Sequence, residues 1–409
     1  MESGLRNYLV VTGGYWAFTV TDGAIRMLVV LYFHMLGYSP FEVAMLFLFY
    51  EFFGIVTNLV GGWLGARIGL NLTMHIGMGM QVIALLLLTV PDAWLTVPYV
   101  MAAQALSGIA KDLNKMSAKA SVKTLAGQGS ESKLFKWVAV LTGSKNALKG
   151  GGFFIGAALL QWIGFRGALF TLAGMLLLVL LATLVMLPSG VGKMKSKPRF
   201  SEVFSKDAAI NWLSAARFFL FGSRDVWFVV GLPVFLNDVL GWSFTRVGAF
   251  LALWVIGYGI VQASAPRLLQ RSHPGDEPGG AAARLWAFIL AVLPAAMALA
   301  LMQGWPAEWV LIGGLVLFGI VFAINSALHS YLILAYSHQD KVSMNVGFYY
   351  MANAGGRLVG TVISGWAYQT QGLVGCLWWS TAFVVAAGLL SFALPEVRQR
   401  LPAAGSANV

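Results

Sequence analysis

Four lysines, Lys111, Lys115, Lys145 and Lys149, are threaded through sequence that otherwise reads as membrane helix. They form two pairs at i, i+4, in GIAKDLNKMSAK and in GSKNALKGGGFFIGAALL. That spacing puts both ammonium groups of a pair on one helix face. Lysine is costly in hydrocarbon, so residues of this kind face a water-filled cavity or the interior of a helix bundle and mark the path of a substrate or ion. Four cations on neighbouring helices point to an anion. Lys115 lies near the end of its helix, where a long side chain also reaches the headgroups, so both readings apply to it. Lys145 and Lys149 lie well inside their run, with no acid nearby in sequence.

The other bases within apolar runs are Arg26, Arg217, Arg224 and Arg357, accompanied by the acids Asp22, Glu51, Asp112 and Asp225. Eight bases against four acids leave a nominal excess of four positive charges inside the bundle. Arginine offers a planar fork to phosphate or carboxylate and lysine a point charge, so the mixture suits a ligand rich in oxyanion oxygens. Asp22 and Arg26 stand at i, i+4, the spacing of an intrahelical salt bridge, which Arg26 would open only to take an anionic ligand in place of Asp22. Arg217 lies two turns before Arg224 on the same face. Arg224 and Asp225 are adjacent, so each is expected to find a partner elsewhere, and for the same reason Asp112 is a poor partner for Lys111. Glu51, among the aromatics of FLFYEFFGIVTN, is expected to be paired or structural, with proton coupling as the lesser alternative. Asn58, Asn114, Asn146, Asn325 and Asn353 suit cavity lining or interhelical hydrogen bonding. His75 and His329 read as interior histidines, because no Cys, His or carboxylate stands at metal-ligand spacing. No cofactor is implied.

These residues need helices to carry them. The 409-residue chain is 58% hydrophobic and 11% charged, with a mean hydropathy of +0.76, and runs of about 20 apolar residues, the length of a bilayer crossing, recur along it. The expected crossings are residues 8–36, 41–66, 71–90, 96–117, 135–161, 166–187, 208–236, 244–268, 284–303, 307–333, 344–369 and 373–394. The fold class is therefore an all-α membrane protein of about twelve transmembrane helices. The start, MESGLRNYLVVTGGYWAF, lacks a basic n-region with a small-residue cleavage site and reads as the first permanent helix. The single cysteine, Cys376, excludes a disulfide framework. The net charge of +11 does not indicate nucleic-acid binding, since the bases sit in membrane-flanking loops or within crossings rather than on one soluble face. With both termini cytoplasmic, the cytoplasmic segments hold seventeen bases and the external loops only Arg166 and Arg246, as cytoplasmic loops collect Lys and Arg.

The basic segment PSGVGKMKSKPRFSEVFSKD divides the chain nearly in half. It is expected to link a six-helix bundle at 1–187 to another at 208–394, as a cytoplasmic linker at 188–207, with a cytoplasmic tail at 395–409. The halves resemble each other. Leu36-Gly37-Tyr38-Ser39 matches Leu240-Gly241-Trp242-Ser243 at an offset of 204; Gly108, Ile109 and Asn114 match Gly319, Ile320 and Asn325 at 211; Lys149, Gly152, Gly164 and Gly167 match Arg357, Gly360, Gly372 and Gly375 at 208. Transporters with two parallel six-helix halves bind substrate between them and expose it alternately. Lys149 and Arg357 are then expected to point at one site from opposite halves. The pairs Gly152 with Gly156 and Gly356 with Gly360 have the GxxxG spacing that lets helices pack closely.

The loop Gly62-Trp63-Leu64-Gly65-Ala66-Arg67-Ile68-Gly69 resembles the cytoplasmic signature Gly-x-Leu-x-Asp-Arg-x-Gly of the major facilitator superfamily, matching at Gly62, Leu64, Arg67 and Gly69, with Ala66 in place of the Asp. Within that superfamily, YWAFTVTDGAIRMLVVLYFH, AQALSGIAKDLNKMSAK, LTGSKNALKGGGFF and FLALWVIGYGIVQ resemble the organoarsenical efflux permeases of bacterial arsenic-resistance operons. The resemblance implies export of 1-arseno-3-phosphoglycerate, the ester formed when glyceraldehyde-3-phosphate dehydrogenase uses arsenate, and hence a functional pairing with that dehydrogenase. It also implies the bacterial inner membrane. The protein is expected to be a monomer.

The expectation is thus an efflux transporter of an anionic phosphate or arsenate ester, not an enzyme. Arg26, Lys111, Lys145, Lys149, Arg224 and Arg357 would clamp the anion, Arg217 and Lys115 would lie further out, and Asp22, Glu51, Asp225 and Arg67 are candidates for gating or coupling. The alternatives are an exchanger of organophosphate for phosphate and, further off, a membrane-embedded transferase. The latter calls for a large polar loop with catalytic residues, and the sequence contains none.

Overall fold

The computed structural model describes residues 2–126, 131–188, 207–272, 278–336 and 342–396. Among these there is no strand. The helices are α1 (Glu2–Met35), α2 (Pro40–Met45), α3 (Leu48–Ile68), α4 (Leu70–Leu87), α5 (Val97–Ala126), α6 (Glu131–Met186), α7 (Ala208–Phe228), α8 (Gly231–Asp238), α9 (Phe244–Ser272), α10 (Gly280–Met302), α11 (Ala307–Tyr336) and α12 (Val342–Leu390). Short breaks separate α2 from α3 and α7 from α8, and each of these pairs makes one crossing. At 1.5 Å per residue, α6 and α12 are too long for one crossing each. Both reverse at a glycine, Gly164 (φ 73°, ψ 177°) and Gly372 (φ 68°, ψ −166°), in a backbone region reserved almost entirely for glycine. Among the described residues nine helical segments are long and apolar enough to span a membrane. Counting α6 and α12 twice and adding α5, whose Lys111, Asp112 and Lys115 make it more polar, the described chain contains the twelve expected crossings.

The matches between the halves have structural counterparts. Gly37 and Gly241 both turn the chain at positive φ (88° and 65°). A side chain on Gly152 would run into the Val20 carbonyl of α1, and one on Gly360 would stand 2.6 Å from the Gly222 carbonyl of α7. Bare backbone at these points therefore lets α6 press against α1 and α12 against α7. Asn114 Nδ2 donates to the Met74 carbonyl of α4 at 3.2 Å, and Asn325 Nδ2 to the Trp286 carbonyl of α10 at 2.9 Å. These two asparagines thus tie neighbouring helices rather than line the cavity. His329 is buried and His75 half-buried in the interior.

At the end of the bundle carrying the turns at Gly37, Gly164, Gly241 and Gly372, the two halves interlock. Phe41 N–H donates to Gln369 Oε1 at 3.1 Å, Thr245 N–H donates to Gln161 Oε1 at 3.1 Å, and His34 Nε2 lies 2.9 Å from Asp238 Oδ1. Gly365 leaves no room for a side chain against Ala44 and the Pro40 carbonyl. The expected linker at 188–207 lies outside the described residues except for Pro188 and Asp207, and the tail at 395–409 except for Pro395 and Glu396.

Candidate functional site

A cavity of about 650 Å³ lies between the halves, walled by α1, α3, α5 and α6 on one side and by α7, α9, α11 and α12 on the other. All eight cations singled out in the sequence line it: Arg26, Lys111, Lys115, Lys145, Lys149, Arg217, Arg224 and Arg357. Asp22, Glu51 and Asp112 line it as well, and Asp225 lies directly behind Arg224 and Arg357. The side chain of Arg67, at the end of α3, lies outside the described residues.

On the first wall, the expected bridge between Asp22 and Arg26 is not the pairing that forms. Arg26 Nη2 donates to Glu51 Oε1 of α3 at 2.6 Å, and its guanidinium rests between the Phe47 and Tyr50 rings, 5.3 and 5.2 Å from their centroids. Asp22 instead accepts from Tyr50 Oη at 2.5 Å and faces Lys149 Nζ of α6 at 3.5 Å. The i, i+4 spacing aims both side chains off one face of α1, but α3 and α6 press against that face with better-placed partners. Lys149, without an acid nearby in sequence, thus gains one through the fold.

Asp112 is, as expected, a poor partner for its neighbour Lys111. Lys115 Nζ donates to its Oδ1 at 2.6 Å and to Asn58 Oδ1 at 2.9 Å, while Lys111 Nζ stands 3.8 Å from its Oδ2 and 4.1 Å from the Tyr50 ring centroid. Adjacency on a helix separates the Cβ atoms of Lys111 and Asp112, and Asp112 Oδ2 accepts no hydrogen bond among the described residues. Gly54 makes room for both: a side chain there would meet Asp112 Oδ2 at 3.0 Å and Lys111 Nζ at 3.6 Å.

On the second wall, Arg224 folds back and donates to its neighbour Asp225 through Nε at 2.7 Å and also through Nη2. The expectation that each looks elsewhere fails for Arg224, because the length of arginine lets its fork return to its own backbone neighbour, and holds for Asp225. Asp225 also accepts from Arg357 Nε at 3.0 Å, and Arg357 Nη2 donates to Glu51 Oε1 at 2.6 Å. Glu51, fully buried, therefore accepts from an arginine of each half. Among the described residues Arg217 has no carboxylate partner. Its Nε donates to Asn353 Oδ1 at 2.9 Å and its Nη1 to the carbonyl and hydroxyl of Ser326, while its guanidinium lies 3.7 Å from the Phe221 centroid.

Of the uncharged lining, Asn58, Asn146 and Asn353 were singled out in the sequence, and the rest was not. Trp254, Tyr258 and Gln262 project from one face of α9, Phe221 sits between Arg217 and Arg224 on α7, and Ser326 accepts from Tyr258 Oη and Gln262 Nε2, both at 3.1 Å. Asn146 Nδ2 reaches across to Gln262 Oε1 at 3.1 Å. The signal was present: Trp254, Tyr258 and Gln262 recur every four residues, a helix-face spacing, in sequence where a glutamine has no apolar role. Among the described residues no group of three or more His, Cys, Asp or Glu is placed to hold a metal ion. Positively charged groups outnumber carboxylates around the cavity, and the chamber is suited to stabilising an anion.

A comparison with family models matches residues 11–361 to the Major Facilitator Superfamily. A comparison with curated proteins found no match. Among solved structures, the chain is similar to a proton-dependent oligopeptide transporter (TM-score 0.69, 18% identity, 95% of this chain and 96% of that one). It is also similar to a bacterial homologue of the iron transporter ferroportin in an inward-facing state (0.70, 18%, 95% and 98%). A nucleoside transporter matches with a TM-score of 0.70 at 13% identity, over 96% of this chain and 98% of that one. At these identities the likeness is one of fold.

Proposed function

The chain belongs to the Major Facilitator Superfamily, and from that premise we propose that it exports an anionic phosphate or arsenate ester by alternating access, its two six-helix halves rocking about the cavity between them. The observation that carries this reading is the chamber itself, where eight cations face four carboxylates. With each of Glu51, Asp112 and Asp225 shared between two cations, the resident acids compensate the wall only in part, and an incoming oxyanion supplies the rest.

The carboxylate-bound cations remain part of the proposed clamp. In the proposed cycle an anionic ligand competes with Asp22 for Lys149 and with Glu51 for Arg26 and Arg357, so that ligand entry loosens the bond between halves. Asp22, Glu51 and Asp225 are then the gating or coupling groups, with Arg67 at the end of α3 as a further one. The end of the bundle where the halves interlock is read as external, which makes the described state the inward-facing one that the ferroportin homologue is also said to occupy. Both termini and the linker then lie on the cytoplasmic side of a bacterial inner membrane, with the protein acting as a monomer.

Export is also the direction the membrane potential favours, since an anion leaving a negative interior gains about 2.3 kcal/mol per charge per 100 mV. A trianion gains about 7 kcal/mol per 100 mV without proton coupling. The sequence resemblance to organoarsenical permeases supports 1-arseno-3-phosphoglycerate as the ester, supplied by glyceraldehyde-3-phosphate dehydrogenase. The alternative within the same chemistry is an exchanger of organophosphate for phosphate. Everted vesicles distinguish the two. The exporter accumulates the arsenate ester generated by added dehydrogenase without needing phosphate inside, whereas the exchanger takes it up only against phosphate counterflow. Turnover of a lipid-linked substrate by the purified protein would replace both with an enzyme.

A further inference from the structure

The two walls of the cavity are unequally compensated, and one residue stands apart. Seven of the eight cations are accounted for as follows: Arg26, Lys111, Lys115, Lys149, Arg224 and Arg357 each lie against a carboxylate, and Arg217 has none among the described residues. Arg217 is only 4% exposed. A buried guanidinium without an anionic partner is the costly arrangement, since removing a charge from water is offset only by pairing or by a full set of hydrogen bonds. Its Nε and Nη1 are engaged by Asn353 and Ser326, whose oxygens are neutral, and Phe221 and Tyr349 supply ring faces. Nη2 donates to no group among the described residues, and the residue lines the cavity. The open edge of the fork is thus presented to whatever enters.

The formal charges of the walls extend this. The second half contributes Arg217, Arg224 and Arg357 against Asp225 alone. The first half contributes Arg26, Lys111, Lys115 and Lys149 against Asp22, Glu51 and Asp112, even with Lys145 set aside. Each wall is therefore short of negative charge in its own right. A ligand with one anionic group compensates one wall and leaves the other as it was. Around Arg217, the hydroxyls of Tyr258 and Ser326 and the amides of Gln262 and Asn353 add neutral hydrogen-bonding groups.

We propose that Arg217 is the anion anchor of the second half and sets specificity for a ligand with two oxyanion groups on a short polar scaffold, one group held by each wall. This rests on the reading of the chamber as an anion-ester site and names which residue selects among such esters. The Glu51–Arg357 pair holds the halves in register until the ligand bridges them, and Arg217, with no carboxylate to release among the described residues, is the group that binds first.

The test uses the purified full-length protein in nanodiscs, with propanediol bisphosphate and propanediol monophosphate as probes in calorimetric titrations. The wild type should bind the bisphosphate roughly tenfold or more tightly than the monophosphate, the scale of one charge-assisted hydrogen-bonded contact. Arg217→Gln should bring the bisphosphate down to the level of the monophosphate, and Arg217→Lys should recover part of the difference, since it restores the charge without the fork. Melting curves of the variants verify that they are folded. Equal affinity of the wild type for both probes, or an Arg217→Gln loss of the same factor for both, would overturn the assignment of Arg217 while leaving an anion site. Failure of the wild type to bind either probe would remove the anion-ester reading itself.

Discussion

Glu51 of α3 and Arg357 of α12 meet at 2.6 Å across the boundary between the halves, and the same carboxylate oxygen accepts from Arg26 of its own half at 2.6 Å. One buried acid thus holds two guanidiniums. Removing its charge strands Arg26 and leaves Arg357 with Asp225 alone, and breaking a buried ion pair from one side costs about 3–5 kcal/mol. Glu51→Gln is expected to lower the melting temperature of the purified protein markedly. Combining it with Arg357→Gln is expected to cost less than the two single changes added together. Additive losses in that double-mutant cycle would mean that the contact carries no coupling.

Lys149 and Asp22 make the corresponding pair inside the first half, at 3.5 Å. Lys149→Ala leaves Asp22 with the Tyr50 hydroxyl as its remaining hydrogen-bond partner, so both stability and transport should fall. Adding Asp22→Asn removes the stranded charge. The double variant is expected to regain most of its melting temperature while transport stays low, because the cation that meets the ligand is still missing. Transport that recovers along with stability would show Lys149 to be structural.

Gly356 sits against the Phe218 carbonyl of α7, and Gly174 has nothing within 4 Å of the place where a side chain would grow. Both are in helices, so the substitutions differ in packing alone. Gly356→Ala should destabilise by about 1–3 kcal/mol, the usual cost of overpacking, and Gly174→Ala should leave stability unchanged or slightly raised. Thermal unfolding of the two variants side by side measures the difference.

Gly372 turns the chain between two crossings at φ 68° and ψ −166°. Alanine there is expected to cost about 1–3 kcal/mol through backbone strain alone, although no atom crowds the site. Gly164→Ala should cost a similar amount, since it occupies the equivalent turn at φ 73°. A loss at one glycine and not at the other would contradict the equivalence of the halves.

What the sequence made legible and what it did not follow from the range of the forces involved. A lysine or arginine in an apolar run is conspicuous wherever the run folds, so Lys145, Lys149, Arg217, Arg224 and Arg357 could be assigned to one chamber before any helix was packed. The reversals at Gly164 and Gly372 were legible because each falls between two apolar runs at the same repeat offset. Pairing was not. Asp22 and Arg26 satisfy the local spacing for a bridge, yet α3 and α6 bring Glu51, Tyr50 and Lys149 within reach, and those contacts are set by helix packing. Arg224 with Asp225 depended on how far a long side chain bends, which spacing rules for Cβ positions leave out. Arg217 looked peripheral for a related reason: its distinction is the lack of a carboxylate from any neighbouring helix, and that is visible only once the helices are assembled.

The most direct test of an anion-carrying chamber is efflux of a labelled phosphate ester from proteoliposomes under an imposed potassium diffusion potential. With the interior negative, the wild type should release the ester faster than at zero potential, and Lys149→Ala or Arg357→Ala should abolish the potential-driven part at equal protein levels. Release that ignores both the potential and the two substitutions would contradict the account.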